Sequence, residues 1–157
     1  MVIIYFNFKN ISVFLHAKCV LLLPQKLRLT GKDVIFITRK RQYLSQWLFG
    51  FFYVKQYPGI KYNQISSHVT IKISKRSVVR HVIKRAIMQY IQEHDIMKNS
   101  ISDIFYKIFI VLSKDRVWEI DKKIANLSKK DTIRYIQDEF GKAWKWFTGR
   151  FRVNWKF

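Results

Sequence analysis

The sequence predicts an α+β fold, a small α/β sandwich whose elements follow the order α-β-β-α-β-α. Three observations support this prediction. Apolar and polar residues alternate at 68–74, which is typical of a strand with one buried face. The apolar period then becomes 3.6 residues at 77–93, which is typical of an amphipathic helix. The nearly continuous apolar run at 104–112 has the length of a strand covered on both faces. Together these segments form a strand–helix–strand unit around a basic helix.

The remaining elements follow from local signals. Thr30 precedes Asp33 by three residues, a helix-start pattern that resembles a capping box, so a helix is expected at 31–42. The aromatic and β-branched segment at 47–54 is followed by a Pro-Gly turn and is expected to be a strand. Apolar residues at helical spacing predict a last helix over 132–147.

The chain of 157 residues is long enough for one hydrophobic core and too short for two full domains. We predict a domain at 22–147, an apolar N-terminal extension at 1–21, and a basic aromatic C-terminal tail at 148–157. Two interpretations of the C-terminal region stay open. The tail binds RNA or a membrane surface, or Trp144 and Phe147 complete the core and the rest is a loose end.

The N-terminal extension is apolar but is interrupted by Lys9, His16 and Lys18 before it reaches the length of a membrane span. It also lacks the organisation of a signal peptide. We therefore expect no membrane partner, and interpret this segment as an added strand or as an extension that the domain does not need. Cys19 is the single cysteine, so neither a disulfide nor a cysteine-rich zinc site is expected, which fits a cytoplasmic protein.

The charge balance predicts a polyanionic partner. Thirty basic and ten acidic residues give a formal net charge of +20. Residues 1–92 contain sixteen of the basic residues and a single acidic residue, Asp33. Self-repulsion of this size is usually relieved by nucleic acid or by an anionic membrane. The first part of the chain is expected to contact that partner.

The densest basic segment is 72–85, with six lysines and arginines and no carboxylate. Arg76, Arg80 and Lys84 place like charges at i, i+4 spacing, which costs a few tenths of a kcal/mol per pair. An ordinary solvated helix face would normally mix signs. The pattern therefore favours a surface that binds an anionic ligand.

Two motifs resemble one known family. The segment KISKRSVVRHVIKR, Lys72 to Arg85, is similar to the Arg-Asn-Arg motif region of the bacterial ribonuclease P protein component, approximately K-K-x-x-x-A-V-x-R-N-x-x-K-R. His81 stands where that motif has asparagine. Upstream, LPQKLRLTGKDVIF is similar to the family's L-P-x-x-x-R-L-x-x-x-x-D-F. The resemblance spans about 22–147, and the predicted element order is also that of the family's fold.

The resemblance implies a function in tRNA 5′ maturation. In this family, the RNA subunit hydrolyses the phosphodiester with Mg²⁺, so no catalytic residue and no metal ligand is expected in the protein. The implied partners are the ribonuclease P RNA and precursor tRNA, whose 5′ leader lies in a cleft beside the sheet. Protein stoichiometry stays open.

The expected RNA-binding residues are those of the two motif regions that can donate to phosphate: Lys72, Lys75, Arg76, Arg80, His81, Lys84, Arg85 and Arg28. For His81 the alternative is a helix histidine with no special task. Phe49, Phe51 and Tyr53 alternate onto one strand face and are candidates for stacking on leader bases. The alternative, which aromatic strand faces favour, is that these rings belong to the core.

Two other functions are compatible with parts of the sequence. Asp115, Glu119, Asp121 and Lys123 have a spacing that can form a magnesium-dependent nuclease site, although such short matches are common and a mixed-charge loop is the favoured interpretation. A basic non-catalytic protein of the ribosome or a membrane surface would also explain the charge.

Overall fold

The structure is a computed structural model that describes residues 23–113 and 116–153, without the side chains of residues 117, 118, 152 and 153. The described strands are Tyr43–Gln46 (β1), Phe49–Lys55 (β2), Gln64–His68 (β3) and Tyr106–Leu112 (β4). The described helices are Gly31–Arg39 (α1), Ser77–Glu93 (α2), Val117–Ala125 (α3) and Lys129–Val153 (α4), preceded by a short 3-10 turn, Gln25–Leu27. The segments at 1–21 and 154–157 lie outside the described residues.

The strands form one mixed sheet in the order β1-β2-β4-β3. β2 is antiparallel to both β1 and β4, whereas β3 is parallel to β4. A parallel pair needs a crossover connection, and α2 supplies it. The predicted α+β class and the strand–helix–strand unit around the basic helix are therefore confirmed, with β1 as a strand that was not predicted.

The hydrophobic core lies between one face of the sheet and helices α2 and α4. Phe49 and Phe51 are fully buried in it. The Phe49 ring lies 5.2 Å from the Phe140 ring, and the Phe51 ring lies 4.6 Å from the Phe147 ring. The leader-stacking role predicted for Phe49 and Phe51 is wrong, because neither ring has any surface left for a nucleobase. Tyr53 is partly buried in the same cluster, with its ring 5.6 Å from that of Phe147.

Helix α1 begins at the predicted position. The Thr30 hydroxyl accepts a hydrogen bond from the Asp33 N–H at 3.2 Å, and Asp33 Oδ2 accepts one from the Thr30 N–H at 3.0 Å. This reciprocal pair is the capping box that the sequence predicted. The helix ends at Arg39, three residues before the predicted end.

The strand predicted at 68–74 is wrong in position. The strand is Gln64–His68, and residues 71–73 form a turn. Ile73 is buried, but Ile71 is 70% exposed, so the alternating residues do not share one buried face. The turn places both residues near α2 without any ladder hydrogen bonds to hold them in a strand.

The C-terminal helices are more extensive than predicted. α3 was not predicted as a helix, and its buried residues Ile120 and Ile124 lie on one face at i, i+4 spacing. α4 continues to Val153, beyond the predicted end at 147. Phe151 consequently packs on the core, with its ring 5.2 Å from that of Tyr53. Within the part of the chain that the structure describes, no helix is both long and apolar enough to span a membrane.

Candidate nucleic-acid interface

The basic segment 72–85 consists of a turn followed by the first half of α2. Ile73 anchors the turn in the core, and α2 buries one apolar half whose residues are Val82, Ile83, Ala86, Ile87, Met88 and Ile91. The charged residues on the other half cannot reach this core. They form a surface, as the helical spacing predicted.

Most of the predicted phosphate-binding side chains are exposed on this surface. The exposed members of the set are Lys72, Lys75, Arg76, His81, Lys84 and Arg85. Among the described residues, the ion pairs of the protein involve none of them. We call these six residues the basic surface. Since no carboxylate of the described residues forms an ion pair with this surface, its cations stay available to a polyanion.

The N-terminus of α2 increases that potential. Its N-cap residue, Arg76, provides no side-chain cap, and the first turn contains no acidic residue. The first backbone N–H groups of the helix therefore keep their partial positive charge. An anion that meets the basic surface also meets the positive end of the helix.

Arg80 has a structural role that the motif did not suggest. It is half-buried, and its Nη1 donates hydrogen bonds to the backbone carbonyls of Ser74 at 2.7 Å and Lys75 at 2.9 Å. These bonds hold the turn against the first turn of α2. Arg80 thus positions the backbone of the basic surface.

Arg28 lies away from the other predicted RNA-binding residues. Its Nε donates to the backbone carbonyl of Leu23 at 2.5 Å. The neighbouring Lys26 carbonyl accepts a hydrogen bond from Gln64, at the start of β3, whereas the basic surface follows His68, at the end of β3. The structure therefore does not bring Arg28 together with residues 72–85.

The second face of the sheet carries a row of rings that crosses all four strands. Tyr43 on β1 lies 4.6 Å from Phe52 on β2, Phe52 lies 6.3 Å from Phe109 on β4, and Phe109 lies 6.5 Å from His68 on β3, measured between ring centroids. Strand pairing explains the row, because Tyr43 and Phe109 are both register partners of Phe52. Tyr43 is 43% exposed, His68 is exposed, and the two phenylalanines are half-buried. We call these four residues the aromatic row.

Helix α1 is attached to the same sheet face by an ion pair. Lys107 Nζ lies 2.6 Å from Asp33 Oδ1 and 4.6 Å from the centre of the Tyr57 ring. Partial burial raises the pKa of the Asp33 carboxyl, but hydrogen bonds from Lys107 and Thr30 outweigh it, so the net pKa lies below its ordinary value. The capping aspartate of α1 thus also fixes the helix on the sheet.

The aromatic row and the basic surface are neighbours. The row ends at His68, the last residue of β3, and the basic surface begins four residues later at Lys72. Rings that can stack on bases therefore lie next to cations that can bind phosphates. Sequence reasoning missed Tyr43, Phe52 and Phe109. The opposite alternation in 49–55 could have found Phe52, whereas Tyr43 and Phe109 become its neighbours only through strand pairing.

The alternative nuclease residues do not converge. Glu119 pairs with Arg116 at 3.3 Å, whereas Asp121 and Lys123 line two different cavities on opposite sides of α3. Asp115 lies outside the described residues. No group of three or more His, Cys, Asp or Glu side chains suited to a metal ion occurs among the residues that the structure describes.

Comparison with known proteins identifies the fold. No protein-family model matches the sequence, and no curated protein sequence matches it. Among solved structures, the Staphylococcus aureus RNase P protein is 16% identical with a TM-score of 0.53, covering 76% of this chain and 93% of its own. The Thermotoga maritima RNase P protein in complex with 1-(4-fluorophenyl)-2-thiourea is 18% identical with a TM-score of 0.52, covering 72% and 95%.

A third similar structure is a Staphylococcus aureus RNase P protein mutant with defective mRNA degradation activity. It is 16% identical with a TM-score of 0.50, and the match covers 87% of this chain and 98% of that one. At these identities the likeness concerns the fold, and it agrees with the resemblance found in the two motifs. The chain therefore has the fold of the bacterial RNase P proteins.

Proposed function

We propose that this chain is the protein subunit of ribonuclease P, which binds the catalytic RNA and the 5′ leader of precursor tRNA in the cytoplasm. One observation carries the proposal. A basic surface that forms no ion pair with the carboxylates of the described residues adjoins an aromatic row, on a fold shared with the bacterial RNase P proteins. Phosphate contacts and base contacts are thus both available along one strand of RNA.

The basic surface binds the backbone of the ribonuclease P RNA in this proposal. Its side chains belong to one helix and the turn before it, so their spacing is fixed by the backbone. Arg80 maintains that turn through the Ser74 and Lys75 carbonyls. Binding through several phosphate contacts releases counterions and makes the affinity strongly dependent on salt.

The aromatic row binds the leader. Single-stranded RNA offers unstacked bases, which stack on aromatic rings with little sequence preference. A leader differs in sequence from one precursor tRNA to another, so a tolerant stacking surface suits it. Tyr43 and His68 are the most accessible ends of the row.

Hydrolysis belongs to the RNA subunit, which supplies the Mg²⁺ chemistry in this proposal. The protein contributes positive charge where two RNA molecules approach each other. Its cations partly replace the magnesium needed to offset their repulsion. The protein is therefore expected to matter most at low magnesium.

Reconstitution tests the proposal. The purified protein alone should leave precursor tRNA intact, and it should restore cleavage by the cognate ribonuclease P RNA at magnesium concentrations where that RNA alone is slow. Cleavage by the protein alone would contradict the assignment of catalysis. Co-purification with ribosomal RNA instead of ribonuclease P RNA would favour the basic ribosome-associated alternative.

A paired variant tests the basic surface. Replacing Lys75 and Lys84 by alanine removes two exposed cations and leaves Arg80 in place. Affinity for the ribonuclease P RNA is measured at several salt concentrations. The slope of log affinity against log salt concentration should become shallower by about 0.7 to 0.9 per lost phosphate contact. The matched control replaces Lys130 and Lys145, two exposed lysines of α4, and should leave the slope unchanged. Equal slopes in both variants would remove the basic surface from the interface.

A further inference from the structure

The turn between β1 and β2 holds a tryptophan in an unusual backbone conformation. Gln46 and Phe49 pair at the ends of the two strands, which leaves Trp47 and Leu48 as the turn residues. Trp47 has φ 53°, in the left-handed region that favours glycine at this turn position. Its side chain is 57% exposed, so packing in the core does not explain the ring.

A cation is stacked on the indole. The Arg116 guanidinium carbon lies 3.9 Å from the centre of the Trp47 ring. Arg116 is itself held by Glu119 at 3.3 Å. The indole thus stacks on a cation that is paired with Glu119, and more than half of the Trp47 residue stays open to solvent.

A cavity of about 370 Å³ opens beside the indole. This volume is at the lower end of the range for small-molecule sites. Its polar lining comes from Gln46, Lys123, Lys142 and Glu139. Lys142 pairs with Glu139 at 2.7 Å, whereas Lys123 makes no ion pair with any described residue.

Gln46 provides a second indication of a ligand. Its Oε1 is buried and accepts no hydrogen bond from any atom of the described residues. Because this atom has no accessible surface in the structure, a donor from outside the protein reaches it only when the Gln46 amide turns toward the cavity that this residue lines. The amino group or ring N–H of a nucleobase is such a donor.

We propose that Trp47, Gln46 and Lys123 bind one unpaired nucleobase of single-stranded RNA together with its phosphate. The base stacks on the open face of the indole and donates a hydrogen bond to Gln46 Oε1 once this amide turns into the cavity. Lys123 binds the phosphate. The site rests on the proposed RNA-binding function but is separate from the aromatic row. The Ser113 N–H donates to the Leu48 carbonyl at 2.8 Å, so the site lies at the end of the sheet where β4 ends. β3 runs parallel to β4, so the basic surface begins at that same end.

The decisive variant is Trp47→Gly, because glycine suits the left-handed backbone while it removes the ring. Affinity for a short labelled single-stranded RNA of mixed sequence should fall at least about fivefold. Affinity for an abasic strand with the same phosphates should not change. Trp47→Phe keeps a ring and should stay within about twofold of the parent protein. Equal affinities of the parent protein and Trp47→Gly for the base-containing strand would overturn the proposal.

Three further measurements keep the proposal testable. Thermal unfolding should show that Trp47→Gly is folded, and 5-iodouridine RNA should cross-link to Trp47 in the unmodified protein. Adenosine monophosphate is the probe for a free nucleotide. Saturable binding of this probe at concentrations where the RNA does not bind would overturn the assignment to an RNA strand.

The salt-slope experiment separates this proposal from the proposed function. A reduced slope for the Lys75 and Lys84 variant, with no effect of Trp47→Gly, rejects the nucleobase site and retains the basic surface. Absence of both effects rejects both. A loss on Trp47→Gly with an unchanged salt slope supports the nucleobase site and rejects the basic surface.

Discussion

The two faces of the sheet are both aromatic, yet their rings differ in burial. On β2, Phe49 and Phe51 are completely buried under α4, whereas Phe52 points to the other face and is half-buried. Successive side chains of a strand alternate between faces, so a shift of one residue separates the core from the candidate RNA surface. Aromatic composition alone cannot distinguish these faces. Helices α2 and α4 cover the first face, whereas α1 covers only part of the second, and this difference decides which rings stay accessible.

The largest difference between the faces should appear in stability. Phe51→Ala removes a fully buried ring that lies 4.6 Å from that of Phe147, and should lower the free energy of unfolding by about 3–5 kcal/mol. Phe52→Ala is the matched control on the other face and should cost about 1 kcal/mol, because its ring is partly exposed. Urea unfolding measures both. Equal losses would show that the second face is as tightly packed as the first.

For RNA binding, the rings of the second face are expected to matter although they contribute less to stability. Replacing Phe52 and Phe109 by alanine removes the middle of the aromatic row. Binding of precursor tRNA should weaken about tenfold, since base stacking contributes about 1–3 kcal/mol per base. Mature tRNA, which has no leader, is the control ligand and should bind the variant and the parent protein equally. A loss that is equal for both ligands would place the row outside the leader site.

The ion pair between Asp33 and Lys107 on the second face should make a pH-dependent contribution to the free energy of unfolding. Asp33→Asn leaves the nearly buried Lys107 amine without its carboxylate and should cost about 2 kcal/mol at neutral pH. Because the folded pKa of Asp33 is depressed, its stabilisation is present above the ordinary pKa of about 3.9 and is lost as the pH falls through the folded value.

The stability difference between the parent protein and Asp33→Asn should therefore narrow below about pH 4. Chemical unfolding at several pH values measures it. A difference that is constant from neutral to acidic pH would mean that the Asp33 carboxylate does not contribute through its charge.

A smaller contrast exists within α2. Arg80→Ala removes two hydrogen bonds to backbone carbonyls and should lower the free energy of unfolding by about 1 kcal/mol. Lys84→Ala removes an exposed cation and should change stability by less than about 0.5 kcal/mol. Thermal unfolding compares them. If both variants have the parent stability, Arg80 acts on RNA alone and not through the turn.

Local signals predicted the elements whose sequence and packing agree. The capping box of Thr30 and Asp33 and the helical spacing of α2 are set by neighbouring residues, so the sequence alone sufficed for both. The nine-residue apolar run was also identified correctly as a strand, because β4 lies between β2 and β3 and needs apolar residues on both sides.

The strand prediction failed where the structure depends on contacts between residues that are distant in the sequence. β3 contains a single aliphatic residue, Ile65, and is held as an edge strand by pairing with β4, so its own sequence gives little strand signal. The neighbouring alternation at 68–74 was stronger, yet Ile71 is exposed in a turn. The RNA-binding role of Arg80 stays a prediction from its charge and its motif position, whereas its carbonyl contacts could not be predicted because they depend on how the turn folds back.

The aromatic row restricts which residues can occupy position 50, although Gly50 has no side chain of its own. A Cβ atom on Gly50 would lie 2.6 Å from Cε2 of Tyr43, so the tyrosine ring occupies the space of the missing methyl group. A side chain at position 50 should therefore displace the partly exposed Tyr43 ring from the row, so a saturation screen for activity should detect substitutions here although this residue has no side chain to offer a ligand. Tolerance should return when Tyr43 is exchanged for a smaller residue, which makes the two positions a compensatory pair.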